Sequence, residues 1–152
     1  MTEKKKNLIL QVYNLPIKFI KPKVKSIVVD ITEKFLSSKK FPCKIIINFI
    51  QPEVMLQLNK TYKNRDYETD ILTFPYYEWV FEKDEKVYFL GEIFLNMEKI
   101  KENAIKEGNK ITYELLFIIA HGILHLMGFT HENEKKLKEM LQLQDKFVKK
   151  VM

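Results

Sequence analysis

Three histidines, His121, His125 and His131, fall within eleven residues, and the chain has no others. His121 and His125 are four apart, so in a helix they share one face, one turn apart. Imidazoles placed this way converge on a single ion at ~2.0–2.1 Å, the zinc–nitrogen distance. Gly128 follows the pair and permits a turn that a residue with a Cβ resists. Such a turn returns His131 toward the same point. Three neutral imidazoles leave one tetrahedral position open, the pattern of catalytic rather than structural zinc. The spacing therefore predicts His121, His125 and His131 as ligands of one zinc ion. Nickel is a feasible substitute, because imidazole sites accept several divalent ions.

A lone histidine on an apolar helix is more often a hydrogen-bonded core residue than a ligand. Here the whole histidine complement lies on or just after one apolar run. Burying imidazoles in so apolar a helix costs free energy unless each finds a partner, and a metal supplies one. Zinc brings bound water to a pKa of ~7, which points to hydrolysis. In the metalloprotease helix the residue after the first histidine is a glutamate, the general base. Here it is Gly122, which cannot accept a proton, and this counts against peptide hydrolysis. Glu107 and Glu114 flank the start of the histidine helix as possible supporting groups or bases, with surface salt bridges as the plainer reading. Asp70 either faces the site or caps a turn.

The elements that must position these residues are legible from periodicity. Residues 110–127 are almost entirely apolar, and a helix hydrophobic all round belongs at the centre of a protein. Around it the chain reads as short strands at Leu8–Tyr13, Cys43–Ile50, Asp70–Phe74 and Val87–Leu95, the third stopped at Pro75. Apolar residues from Ile17 to Phe35 at spacings of three and four predict an amphipathic helix, and Phe41-Pro42 ends the connection that follows it. Pro52 suits the first turn of a helix running to about Tyr62. Asn96 caps a helix through about Glu107, and Gly108-Asn109 breaks it. Residues 132–151 form a last amphipathic helix with Leu137, Met140, Leu141, Leu143 and Phe147 inward. Residues 76–86, with Tyr76, Tyr77, Trp79 and Phe81 among charges, read as a loop or hairpin tip. The expected fold is α+β, with a small mixed sheet of about four strands around a central histidine-bearing helix.

The chain has 152 residues, which fits one domain over 1–152, since domains cluster near ~100–150 residues. Hydrophobic residues are 46% and charged residues 30%, both in the soluble globular range. The single Cys43 excludes an intramolecular disulfide framework and a four-cysteine metal knot. The formal charge is +6, carried as +7 in residues 1–76 and −1 in 77–152. A basic half-chain suits an anionic partner such as nucleic acid, although a solvated lysine-rich surface accounts for the charge as well. No apolar stretch approaches the ~20 residues of a membrane span, and the run after Lys4 to Lys6 is too short for a signal-peptide core. A cytoplasmic location with no membrane partner is expected.

The run from His121 to His131, His-Gly-Ile-Leu-His-Leu-Met-Gly-Phe-Thr-His, resembles the signature of the YbeY family of bacterial endoribonucleases, His-Gly-x-Leu-His-Leu-x-Gly-Tyr-Asp-His. Leu58, Asn59, Tyr62 and Lys63, with Thr73-Phe74-Pro75, are similar to that family's Leu-Asn-x-x-Tyr-Arg stretch and its Ser-Phe-Pro. Leu90-Gly91-Glu92-Ile93 is similar to its Leu-Gly-Asp-Ile. The likeness runs over about residues 43–147. The sequence departs from the pattern at Lys63 for Arg, at Thr130 for Asp and at Glu92 for Asp. Lysine keeps the charge but lacks the bidentate fork that matches phosphate.

The resemblance implies a zinc-dependent, single-strand-specific endoribonuclease. Its role would lie in ribosomal RNA maturation, at the small-subunit 3′ end, and in ribosome quality control. The implied partners are single-stranded ribosomal RNA and the small ribosomal subunit or its assembly proteins. By motif position the three histidines would be zinc ligands and Lys63 would serve RNA binding or catalysis, while Arg65 sits at a position that is often basic or variable. Zinc would activate water and polarise a phosphate oxygen, Lys63 or Arg65 would stabilise developing charge, and Tyr76, Tyr77, Trp79 and Phe81 could stack on unpaired bases, with a loop packed onto the core as the plainer reading of those rings. The rival readings are a zinc peptidase and a non-catalytic ribosome-assembly factor with a structural metal.

Overall fold

The structure is a computed structural model that describes residues 2–5, 8–36 and 42–152; Phe41, expected to end a connection, lies outside them. Strands β1 (Thr2–Lys5), β2 (Leu8–Tyr13), β3 (Cys43–Ile50), β4 (Ile71–Glu82) and β5 (Glu85–Asn96) form one mixed sheet. Its order is β1-β2-β3-β5-β4. The pairs β2–β3 and β3–β5 are parallel, and β1–β2 and β4–β5 are antiparallel. The four expected strands are present, and the short lysine-bearing β1 adds at one edge. The fold is α+β.

Among the described residues five helices complete it: α1 (Lys21–Leu36), α2 (Pro52–Lys63), α3 (Met97–Glu107), α4 (Ile111–Leu126) and α5 (Glu134–Val151). A 3₁₀ turn at Lys18–Ile20 precedes α1. Pro52 opens α2, where its missing N–H is no loss. The Asn96 side chain accepts from the Lys99 N–H at the start of α3. The apolar α4 sits in the middle, as its composition requires. Leu115, Leu116, Ile119, Ala120, Ile123 and Leu124 on it are all fully buried. They join Ile45, Ile47, Ile93 and Leu95 of the sheet and Val24, Ile27 and Ile31 of α1 in one core. No helix among the described residues is long and apolar enough to cross a membrane.

Three local expectations need correction. The strand at Ile71 does not stop at Pro75 but continues to Glu82. β4 is an edge strand, and an edge tolerates proline because the missing N–H faces no partner. Residues 76–86 are therefore mostly strand, closed by a two-residue turn at Lys83 and Asp84. Both of those lie at positive φ, 48° and 68°, as the preferred hairpin turn demands. Third, Leu137 and Leu141 of α5 do not point inward; they are 39% and 40% exposed. The buried line of α5 is Met140, Gln144, Phe147 and Val148, so a glutamine occupies a place that an apolar pattern assigns to a hydrophobe.

Candidate metal centre

Helix α4 brings the first two histidines to the sheet, and a glycine allows its close approach. A Cβ on Gly122 would lie 2.9 Å from the Cδ1 atoms of both Ile71 and Ile93. Position 122 therefore faces the apolar sheet, and no base can be held there beside the histidines. The helix ends at Leu126 and reverses through Gly128, whose φ of 100° is a left-handed geometry that side chains resist. The Gly128 N–H donates to the His125 carbonyl at 2.9 Å, and the Phe129 N–H to the Leu124 carbonyl at 3.0 Å. This turn folds His131 back over the pair. Its ring centroid is 4.9 Å from that of His125 and 5.4 Å from that of His121. One donor nitrogen from each of the three rings lies within 4.8 Å of the other two.

The surrounding hydrogen bonds fix which nitrogens face inward. His125 Nδ1 is 2.9 Å from the Phe129 carbonyl oxygen, which only accepts, so Nδ1 carries the proton. Gln144 Nε2 donates to the Phe117 carbonyl at 3.2 Å, which turns Gln144 Oε1 toward His121 Nδ1 at 2.9 Å. His121 Nδ1 is then also the protonated nitrogen. The two Nε2 atoms are left as bare lone pairs 2.9 Å apart. Two acceptors do not bond each other, and a metal ion between them would resolve the contact. The spacing is close to the ~3.3 Å edge that ~2.0–2.1 Å bonds give in a tetrahedron. Burial, then the charge of His121, pushes His125 down to about 4. Burial likewise lowers His121. Both rings are thus neutral near pH 7, the form that ligates a metal. The donor set fits one zinc-like cation, and outer carbonyl partners of this kind orient ligating histidines and raise their basicity.

A cleft of about 540 Å³ opens over the three histidines, and Lys63 and Arg65 line it with Thr73, Tyr77, Phe129 and Thr130. The sequence-predicted site residues are therefore brought together in one place. Lys63 closes α2, with its ammonium 5.0 Å from the Phe74 ring centroid. Arg65 follows Asn64, which adopts a left-handed cap at φ 57°. The Arg65 N–H donates to the Asn59 carbonyl at 3.2 Å, and Asn59 Nδ2 donates to the Tyr67 carbonyl at 2.9 Å. Fully buried Asn59 thus pins the loop that carries Arg65 on both sides.

Other candidates lie elsewhere. Glu107 and Glu114 do not line the cleft, and Glu114 accepts from the Asn109 side chain at 2.6 Å. Asp70 also stays outside the cleft. It accepts from Asn103 at 3.2 Å, and its carboxyl is raised by burial against several lowering hydrogen bonds. Glu92 sits on the opposite face of the sheet from the histidines, where Tyr76 Oη and Asn48 Nδ2 each donate to it at 3.0 Å. Gln144 was not among the sequence candidates. It lies 23 residues from His121, and its one sequence signal is a polar residue in the apolar line of α5.

A central helix and the turn after it gather three imidazoles under a cleft with two cations on its wall. This defines a small α+β protein with an open three-histidine group able to hold one metal ion. The family model for endoribonuclease YbeY matches residues 12–152. A Malacoplasma penetrans relative named endoribonuclease YbeY is 34% identical over 134 residues, 87% of each chain. Another of that name from a Sulfurihydrogenibium species is 36% identical over 124 residues, 80% of each. A protein of Thermotoga maritima solved in solution superposes with a TM-score of 0.59 at 28% identity, over 93% of this chain and 88% of that one. The chain belongs to the endoribonuclease YbeY family.

Proposed function

We propose that this chain is a zinc-dependent endoribonuclease that hydrolyses phosphodiesters of single-stranded ribosomal RNA in the cytoplasm. Residues 1–152 would act as one catalytic domain. Its place would be small-subunit 3′-end maturation and ribosome quality control, with the small subunit or its assembly proteins as partners. The observation that carries the reading is the shared cleft, in which three imidazoles face two cations. Family membership supports an endonucleolytic, RNA-directed activity.

His121, His125 and His131 would hold the ion, which supplies a Lewis acid and an acidified water when bound. Gln144 and the Phe129 carbonyl keep the Nδ1 protons of His121 and His125 outward and hold the ring planes. The Arg65 guanidinium offers the planar fork that matches two phosphate oxygens, and the Lys63 ammonium adds a point charge. Together they would bind the RNA phosphate and stabilise charge that builds up on it as the bond to the leaving sugar oxygen breaks. The loop clamp by Asn59 holds Arg65 to that side of the cleft.

The test is cleavage of single-stranded ribosomal RNA and of casein, with and without chelator, by the wild-type chain and by His121→Ala. Chelator-sensitive RNA cleavage that disappears in His121→Ala is expected, and casein should stay intact. Proteolysis without RNA cleavage would establish the peptidase reading instead. Cleavage of neither, with co-sedimentation on small ribosomal subunits, would establish an assembly factor with a structural metal.

A further inference from the structure

The β4–β5 hairpin arm carries aromatic rings on both faces, and Tyr77, Trp79 and Phe81 continue the alternation of Ile71, which packs against Gly122 of α4. Register shifts between Pro75 and Glu78, so Tyr76 and Tyr77 together oppose the single residue Leu90. Beyond the bulge Trp79 pairs with Tyr88 and Phe81 with Lys86. The Trp79 and Tyr88 rings meet at 5.0 Å, and Tyr88 packs on the core that includes α4. Trp79 and Phe81 therefore lie on the histidine side of the sheet. Tyr77, held at φ 49° in the bulge, turns to the same side, and its hydroxyl donates to the Leu126 carbonyl at the end of α4. Tyr76 goes to the opposite face, with its ring 4.9 Å from Phe89 and its hydroxyl on Glu92.

On the histidine side, Tyr77, Trp79 and Phe81 are 44%, 47% and 75% exposed. They stand at alternate positions, about 7 Å apart along an extended strand. The row begins in the wall of the histidine cleft, which Tyr77 lines, and runs outward along the arm. Lys86 places its ammonium 4.5 Å from the Trp79 ring centroid. Glu78 and Glu82 alternate to the other face, where Glu82 pairs with Lys44. The arm thus separates its charges: rings with a lysine on the histidine side, carboxylates behind. Aromatic faces in a row with an adjacent cation are what single-strand binding surfaces present, since every base has a π-face.

We propose that Tyr77, Trp79 and Phe81 form a stacking track for unpaired RNA bases flanking the phosphate held in the histidine cleft. This inference rests on the ribonuclease reading and adds to it where the strand runs. It also divides the four aromatics, since Tyr76 takes no part.

Trp79 is the single tryptophan of the chain, so its emission reports on the track directly. The full chain with its metal is titrated with a short phosphorothioate-linked oligouridine, which resists cleavage, and with an abasic strand of equal length. Emission and the anisotropy of a label on the strand are followed together. Oligouridine should quench Trp79, while the abasic strand binds through its backbone without quenching. Phe81→Ala, at a highly exposed position, should weaken oligouridine binding roughly 10-fold and leave the abasic strand unaffected. Equal binding of both strands, with no quenching and no effect of Phe81→Ala, would overturn the track and leave the ribonuclease reading standing. Failure of both strands to bind would overturn both readings.

Discussion

His121 Nε2 and His125 Nε2 face each other at 2.9 Å, while a carbonyl oxygen accepts from the Nδ1 of each ring. The arrangement holds two lone pairs together with no proton between them. It also makes the outer partners part of the site, and the first prediction concerns the side-chain partner. Gln144→Leu keeps the volume of the buried side chain but removes the acceptor of the His121 Nδ1 proton. Metal affinity should fall by about 10- to 100-fold, the usual effect of losing such a partner. Competition with a chromophoric chelator measures it. Unchanged affinity would show that Gln144 only packs.

The second prediction concerns Gly122. A Cβ there meets the Cδ1 atoms of Ile71 and Ile93 at 2.9 Å and the Cγ1 of Ile93 at 3.4 Å. Gly122→Ala therefore sets mild overpacking, ~1–3 kcal/mol, against the ~1 kcal/mol by which alanine favours a helix. Its net destabilisation in chemical unfolding should stay below about 2 kcal/mol. Gly122→Glu restores the peptidase motif but places a carboxylate against Ile71 and Ile93. It should cost at least about 3 kcal/mol and confer no proteolysis. A stable Gly122→Glu chain that cuts casein would contradict the packing account.

The two cleft cations make a quantitative prediction about salt. A single strand bound through phosphate contacts loses affinity as salt rises, with a slope set by the number of contacts. Lys63→Met and Arg65→Met should each make the slope of log affinity against log salt shallower by about 0.7. Filter binding or anisotropy across a salt series measures this. An unchanged slope in both variants would remove Lys63 and Arg65 from the RNA site.

Protonation competes with the metal. The unfolded imidazole titrates near ~6.5, whereas burial and the neighbouring rings push folded His125 down to about 4. Between those values the unfolded chain binds more protons, so stability rises with pH. In the presence of chelator, the His125 contribution should be complete above ~6.5 and should fade as the pH drops toward 4. Urea unfolding across that window checks it, and His125→Gln should flatten the trend. A stability that rises on acidification through this window would contradict the buried, neutral ring.

The histidine site was legible because its information is local. Two ligands sit one helical turn apart, and the third follows a glycine turn, so spacing alone predicts convergence. Lys63 was legible through its motif position and Arg65 only as a basic neighbour of it, and both line the same cleft. Gln144 was not legible, because it reaches His121 only through the packing of α5 on α4. The faces of Tyr76 and Tyr77 were equally hidden. Alternation runs unbroken from Ile71, which faces Gly122, to Tyr77, Trp79 and Phe81, but which parity faces the histidines is set by the packing of Ile71 on α4. The reach of β4 past Pro75 depends on that strand's lying at the sheet edge, which no local pattern reveals. Leu137 and Leu141 read as core because amphipathicity marks an apolar stripe and not which part of it meets a neighbour.

The central claim is that His121, His125 and His131 hold one metal ion in one place. Elemental analysis of the chain, purified without a histidine tag, tests it most directly when set beside His125→Ala. The account predicts one divalent ion per wild-type chain, zinc foremost, and its loss from the variant with the fold retained by circular dichroism. A folded wild-type chain that retains no metal when zinc is supplied, or a His125→Ala chain that holds as much, would contradict it.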